Sequence, residues 1–168
     1  MNTEKWDAFA EAFARGDVTP ANGWTEWEAQ AVREADTIRG ALPHHVGTLV
    51  EVGCGIGRLT PQLALRFSTI IAMDTSTACR RVTRNRCRAH RNVLVVPPDD
   101  RRVEGDAALV WGNLYDSDWS YAETREHRAM LRGRFPIVLE GNEGRWARYE
   151  RNAIYLDRGE ITFTTFEP

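Results

Sequence analysis

The sequence predicts an α/β fold: an open, mostly parallel sheet of seven strands flanked by helices, with an N-terminal helical cap and a C-terminal β-hairpin. Three observations predict it. Two short runs rich in β-branched residues and leucine, Thr48–Val52 and Thr69–Met73, flank a glycine turn and a helical stretch, which makes a strand-helix-strand unit. Such a unit joins parallel strands and needs helices on both sheet faces. Residues 1–45 carry helical instead of strand periodicity, and strands and helices alternate after residue 46. At 168 residues with 42% hydrophobic and 27% charged, the chain is sized for one folding unit.

In the cap, Trp6, Phe9, Ala10 and Phe13 fall at i, i+3, i+4 and i+7, the stripe of an amphipathic helix from Glu4 to Arg15 that Gly16 ends. Thr25 and Glu28 have capping-box spacing and predict a second helix running to about Gly40, with Trp27, Ala31, Ala35 and Ile38 on its buried stripe. After the strand Thr48–Val52 come a helix over Arg58 to Phe67, the strand Thr69–Met73, a helix over Thr77 to His90, and the strands Val93–Val96 and Ala107–Trp111. Ser120 and Glu123 form another capping box, for a helix ending at Arg132 with Gly133 as its C-cap glycine. A strand Pro136 to Leu139 follows. Ala153 to Leu156 and Ile161 to Phe166, joined by Asp157-Arg158-Gly159-Glu160, are expected as a hairpin closing the sheet edge.

Several function classes are disfavoured at once. No apolar run approaches the roughly 20 residues that cross a bilayer, and Glu4, Asp7 and Glu11 break any signal-peptide core. Cys54, Cys79 and Cys87 lack the pairing of a disulfide framework and the spacing of a zinc site, so they are expected as reduced thiols in cytoplasm, with no metal. With 22 basic against 24 acidic residues, the surface as a whole attracts no polyanion. Arg80, Arg81, Arg84, Arg86, Arg88 and Arg91 cluster locally, but no aromatic residue among them could stack a base, so a solvated helix face is expected and nucleic acid is disfavoured.

The chemistry concentrates in the turn after the first strand, Glu51-Val52-Gly53-Cys54-Gly55-Ile56-Gly57. In open parallel sheets the ligand crevice lies beyond the carboxyl ends of the strands where strand order reverses, and glycines there bring a ligand against bare backbone. Asp74 ends the second strand, about 20 residues on, where a carboxylate can accept both hydroxyls of a ribose. A dinucleotide turn would read G-x-G-x-x-G, but here the spacing is G-x-G-x-G, with Arg58 where the last dinucleotide glycine is required.

This pattern resembles motif I, E/D-x-G-x-G-x-G, of the class I (Rossmann-like) S-adenosylmethionine-dependent methyltransferases, and Asp74 with Thr75 looks like their ribose-binding turn. The resemblance spans Thr48 to Leu139 in element order and is specific from Thr48 to Ser76. It implies S-adenosylmethionine as cofactor and S-adenosylhomocysteine as product. The Gly53, Cys54, Gly55 and Gly57 backbone would pass under the methionine part, Glu51 would order the loop or meet the amino group, and Asp74 would hold the ribose. Asp99, or else Asp100, would receive the adenine amine, and Gly112 and Asn113 would face the sulfonium. Residues 46–168 would be the cofactor-binding domain, with residues 1–45 as its cap or lid.

The acceptor side is less marked. Gly112-Asn113-Leu114-Tyr115 replaces the Asn-Pro-Pro-aromatic motif of the amide- and adenine-methylating branches, which argues against that chemistry. Asp116, Asp118 and Glu140 follow the fourth and fifth strands and are the general-base candidates, with Tyr115 to orient the acceptor. His44, His45 and His127 are expected to be structural. Trp6, Trp24 and Trp27 either pack the front helices or form an aromatic lid. The short arginine-rich stretch after Gly141 leaves part of the acceptor wall to be supplied by a homodimer partner or to be missing. The expected activity is SN2 methyl transfer to a small molecule. The alternatives are an RNA or protein acceptor, or a non-methylating S-adenosylmethionine-binding protein.

Overall fold

The computed structural model describes residues 3–21, 23–100, 103–111, 120–141 and two short strands near the C-terminus, Leu156–Asp157 and Glu160–Ile161. In chain order the elements are α1 (Thr3–Arg15), α2 (Gly23–Ala41), β1 (Thr48–Val52), α3 (Thr60–Ala64), β2 (Thr69–Met73), α4 (Thr77–Arg86), β3 (Val93–Val96), β4 (Ala107–Trp111), α5 (Tyr121–Arg134), β5 (Val138–Gly141), β6 (Leu156–Asp157) and β7 (Glu160–Ile161).

Among the described residues five strands, not seven, make the sheet. All are parallel, in the order β3-β2-β1-β4-β5. The hairpin β6-β7 is a separate antiparallel pair with Leu156 opposite Ile161 and Asp157 opposite Glu160. Its two strands are close in sequence, so they pair with each other at little entropic cost without joining the sheet.

Alternation along each strand splits the core by face. Leu49, Ile70, Ala72, Leu109 and Leu139 meet Ala31, Ala35 and Ile38 of α2 and Leu63 and Ala64 of α3 on one side. Val50, Val52, Ile71, Met73, Ala108 and Val110 meet Leu131 of α5 and Phe135 just after it on the other. A third, smaller cluster joins Ala10 of α1 to Ile56 of the glycine turn and to Ala78, Cys79 and Val82 of α4, with Trp6, Phe13 and Trp27 against it.

Local chemistry moves several boundaries. α2 begins at Gly23, two residues before Thr25, so the Thr25-Glu28 spacing is not its cap; Glu28 instead holds Arg86 at 2.7 Å. α3 is one turn: Pro61 in its first turn fixes the start, and Leu65 is already its C-cap. In α5 the Ser120-Glu123 capping box forms in full, yet Gly133 stays inside the helix, and Phe135, extended at φ −122°, is the C-cap. β5 starts two residues later than Pro136, which has no N–H to give a ladder.

Candidate functional site

The chain runs outward from β1 to β2 and β3, then crosses back to β4 and β5, so strand order reverses between β1 and β4. Val52 is in register with Val110, which puts the glycine turn and Trp111 on the two sides of that crevice. Gly53, Gly55 and Gly57 take φ of +74°, +56° and +73°, in the left-handed region that side chains disfavour.

The turn is held from below by its own fold. The amides of Gly53 and Cys54 both donate to Met73 O, at 2.8 and 2.9 Å, and Gly57 N donates to Cys54 O. Thr83 Oγ1 of α4 donates to Gly55 O at 2.8 Å and Arg86 Nε donates to Gly57 O at 3.0 Å. With so many groups committed inward, the turn offers a ligand mainly its bare surface at Gly55, where an added Cβ would meet no atom of the described residues within 4 Å.

Asp74 stands beside that surface. Its Oδ2 accepts from Gly55 N and its Oδ1 from Ser76 N, both at 2.8 Å. Each carboxylate oxygen keeps acceptor capacity for a further donor. Burial raises its pKa, against the lowering pull of the two amides and Arg80. The cap of α4 is Ser76, whose hydroxyl accepts from Cys79 N, so Asp74 is not spent on that task. Thr75 is exposed next to it.

Glu51 is buried under the turn, where its Oε2 accepts from Thr60 Oγ1 at 2.7 Å and burial pushes its pKa up to about 7. Cys54 is buried as well, with a thiol pushed well above its ordinary value, chiefly by burial. On the β4 side, Trp111 Nε1 donates to Glu34 Oε2 of α2 at 2.7 Å, and Arg58 donates to both oxygens of the same carboxylate, at 3.2 and 2.6 Å. This group ties α2 to both banks of the crevice.

No protein-family model matches the chain, and no curated protein sequence does. Solved structures do match. An amino pentose methyltransferase from Micromonospora echinaspora involved in calicheamicin biosynthesis, with S-adenosylmethionine bound, is similar at 24% identity over 89% of this chain and 63% of its own, with a TM-score of 0.59. A glycopeptide N-methyltransferase in complex with S-adenosylmethionine is similar at 19% identity over 62% of this chain and 50% of its own, at 0.55. The chain has the class I S-adenosylmethionine-dependent methyltransferase fold. It spans 50–63% of the length of these two proteins.

In that methyltransferase fold the structure brings Glu51, Gly53, Cys54, Gly55, Gly57, Asp74 and Thr75 together at the carboxyl ends of β1 and β2. Asp99 lies exposed beyond the end of β3. Gly112, Asn113, Tyr115, Asp116 and Asp118 fall outside the described residues. Glu140 is buried on the α5 face, where Arg128 Nε donates to both its oxygens at 3.1 and 2.9 Å. Burial raises the Glu140 pKa, against the guanidinium. His44 and His45 are exposed at the entry to β1, the opposite end of the sheet.

The arginine cluster is not simply a solvated face. Arg80 donates to the carbonyls of Asp74 and Thr75, Arg84 to Val95 O, and Arg86 to Gly57 O and Glu28. Three of the six thus brace the strand ends and the turn. Thr83, Arg86, Glu34 and Trp111 were not singled out from the sequence as site residues. Their signal was faint: a threonine and an arginine three apart on one face of α4, and an aromatic closing a buried strand. Among the described residues no helix is long and apolar enough to cross a membrane, and no group of His, Cys, Asp and Glu could hold a metal ion.

Proposed function

We propose that the chain binds S-adenosylmethionine across the β1-β4 crevice and transfers its methyl group to a small-molecule acceptor. One observation carries the reading: a left-handed glycine, Gly55, presents open backbone while its amide is held by the carboxylate of Asp74. That pairing suits a ligand with a ribose diol beside a slender chain that lies on backbone. The bound cofactor would supply an activated methyl on a sulfonium.

The chain's own residues do the rest. Asp74 accepts the ribose hydroxyls, the Gly53–Gly57 backbone seats the methionine part, and Glu51 and Thr60 brace the turn from within. Asp99 is the adenine contact of this reading. Transfer would form the bond from the acceptor to the methyl carbon and leave sulfur with the electrons of the carbon-sulfur bond. Alignment to about 3–3.5 Å and exclusion of water are the protein's contributions to rate. Where the acceptor is an ammonium or hydroxyl, a base must take one proton, with Asp116 and Glu140 as candidates and Tyr115 as the orienting group. The engagement of Arg80, Arg84 and Arg86 inside the fold favours a small acceptor over RNA. The similar glycopeptide N-methyltransferase makes amines the first acceptor class to test.

Calorimetric titration with S-adenosylhomocysteine, S-adenosylmethionine and NAD tests the cofactor class. The expected result is micromolar binding of the first two and none of NAD, with Asp74→Ala weakening both by about 1–3 kcal/mol through lost acceptor bonds. Silence of the folded protein toward all three would overturn the reading. Labelled-methyl product analysis with an amine panel then tests transfer itself.

A further inference from the structure

Helix α1 reaches the ribose end of the crevice through one side chain. Asp7 Oδ1 accepts from Ser76 Oγ at 2.6 Å and from Ala78 N at 3.0 Å, capping α4 from a different helix. Ser76 Oγ already accepts from Cys79 N, and its single hydrogen is given to Asp7. The serine is therefore fixed at both its donor and its acceptor. Its backbone N–H donates to Asp74 Oδ1, and Asp74 Oδ2 takes the amide of Gly55. One unbroken run of hydrogen bonds leads from α1 through Ser76 to the carboxylate and on to the glycine turn.

Packing follows the same route. Ala10 of α1, with Trp6 and Phe13, closes on Ile56 between the last two turn glycines and on Ala78, Cys79 and Val82 of α4. Asp7 thus links the first turn of α4 to an apolar seam that ends at the cofactor turn.

We propose that Asp7 is a positioning residue for the ribose of the cofactor. The inference rests on the cofactor reading above and deepens it. A carboxylate that must accept two ribose hydroxyls while holding two backbone amides has its acceptor directions set by where those amides stand. One of the amides belongs to Ser76, and Asp7 fixes Ser76. The sequence gives no hint of this role, since Asp7 lies 67 residues before Asp74 in a helix without any part of the glycine motif.

The test is a double-mutant cycle read by S-adenosylhomocysteine calorimetry, with thermal melts alongside. Asp7→Ala is expected to weaken binding about 5- to 20-fold, the scale of a lost cap with charged hydrogen bonds. Asp7→Asn, whose amide oxygen can still accept both bonds, is expected to stay within about 3-fold of wild type. In the Asp74→Ala background, Asp7→Ala is expected to change affinity less than about 2-fold, because the effect travels through Asp74. Should Asp7→Ala fail to fold, Ser76→Gly removes the same link at small cost to the cap and is expected to reproduce the loss. Wild-type affinity in Asp7→Ala or in Ser76→Gly, or an equal loss with and without Asp74, would overturn the proposal. No binding by the wild type would instead remove the cofactor reading, and this inference with it.

Discussion

Replacing Gly55 by alanine separates the cost of a backbone shape from the use made of the space beside it. Gly55 sits at φ +56°, where an L side chain costs about 1–2 kcal/mol, partly offset by the lower entropy of the unfolded chain, so the net loss should be about 1 kcal/mol. For a chain of this length that is a fall of about 2–4 °C in Tm. An added Cβ meets nothing within 4 Å among the described residues, so no packing penalty is added. Gly57 is the control. It has a similar φ of +73°, but its Cβ would lie 2.9 Å from Thr83 Cγ2 and 3.1 Å from Thr83 Cα, and the helix backbone cannot give way cheaply. Overpacking of about 1–3 kcal/mol then adds to the conformational cost, for a total of about 2–4 kcal/mol.

Binding should follow a different order from stability. If the cofactor lies on Gly55, the alanine methyl occupies its place, and S-adenosylhomocysteine affinity should fall at least about 100-fold in a protein whose circular dichroism is unchanged. Calorimetry on Gly55→Ala, with urea unfolding of both variants, measures the two effects apart. A folded Gly55→Ala that binds S-adenosylhomocysteine within about 3-fold of wild type would show that the open surface is not where the cofactor lies, and the reasoning from bare backbone to ligand would fail.

Glu51→Gln should flatten a pH dependence. Burial pushes the Glu51 carboxyl up to about 7 in the folded chain, so between about pH 4.5 and 7 the folded state keeps a proton that the unfolded state has lost. Stability therefore falls as pH rises through that window, by at most about 3 kcal/mol, and urea midpoints at pH 5 and pH 8 should differ less for Glu51→Gln than for wild type. Glu34→Ala removes an acceptor shared by Arg58 and the Trp111 indole and should cost about 1–3 kcal/mol in urea unfolding, because the partly buried indole N–H loses its bond. The thiols of Cys54, Cys79 and Cys87 are buried and pushed up, the last two to about 11 and about 12, so a thiol reagent at pH 8 should label none of them until the chain is unfolded.

What could be read from the sequence and what could not divide along a physical line. Thr48–Val52 and Thr69–Met73 are strands because short β-branched runs between a turn and a helix have few other uses, and their bounds match the structure residue for residue. The glycine turn was legible because left-handed backbone leaves its mark in residue type. The cap of α4 is Ser76, whose hydroxyl is fixed by Asp7 from another helix, and that contact leaves no mark in the local sequence. The Thr25-Glu28 spacing misled because α2 starts at Gly23, before Thr25, and Glu28 is bonded to Arg86, 58 residues away. The seven-strand sheet failed for a related reason: hairpin periodicity says that two segments pair with each other, not that they join a sheet. Long-range acceptors such as Glu34 for Trp111 leave no local signature at all.

Those long-range acceptors change how the front of the chain should be regarded. Residues 3–41 hold none of the glycine motif, yet Asp7 is bonded to the loop that follows β2, Glu28 to the arginine that holds Gly57 O, and Glu34 to both sides of the β1-β4 crevice. Three carboxylates on two helices thus reach three separate points around the strand ends. A cap that merely shielded an apolar surface would need only its buried stripe, Ala10, Ala31, Ala35 and Ile38. Carboxylates bonded to the groups that shape the turn fix distances as well as cover. On this argument the front helices set the geometry of the crevice, and changes there should alter ligand affinity before they alter the sheet.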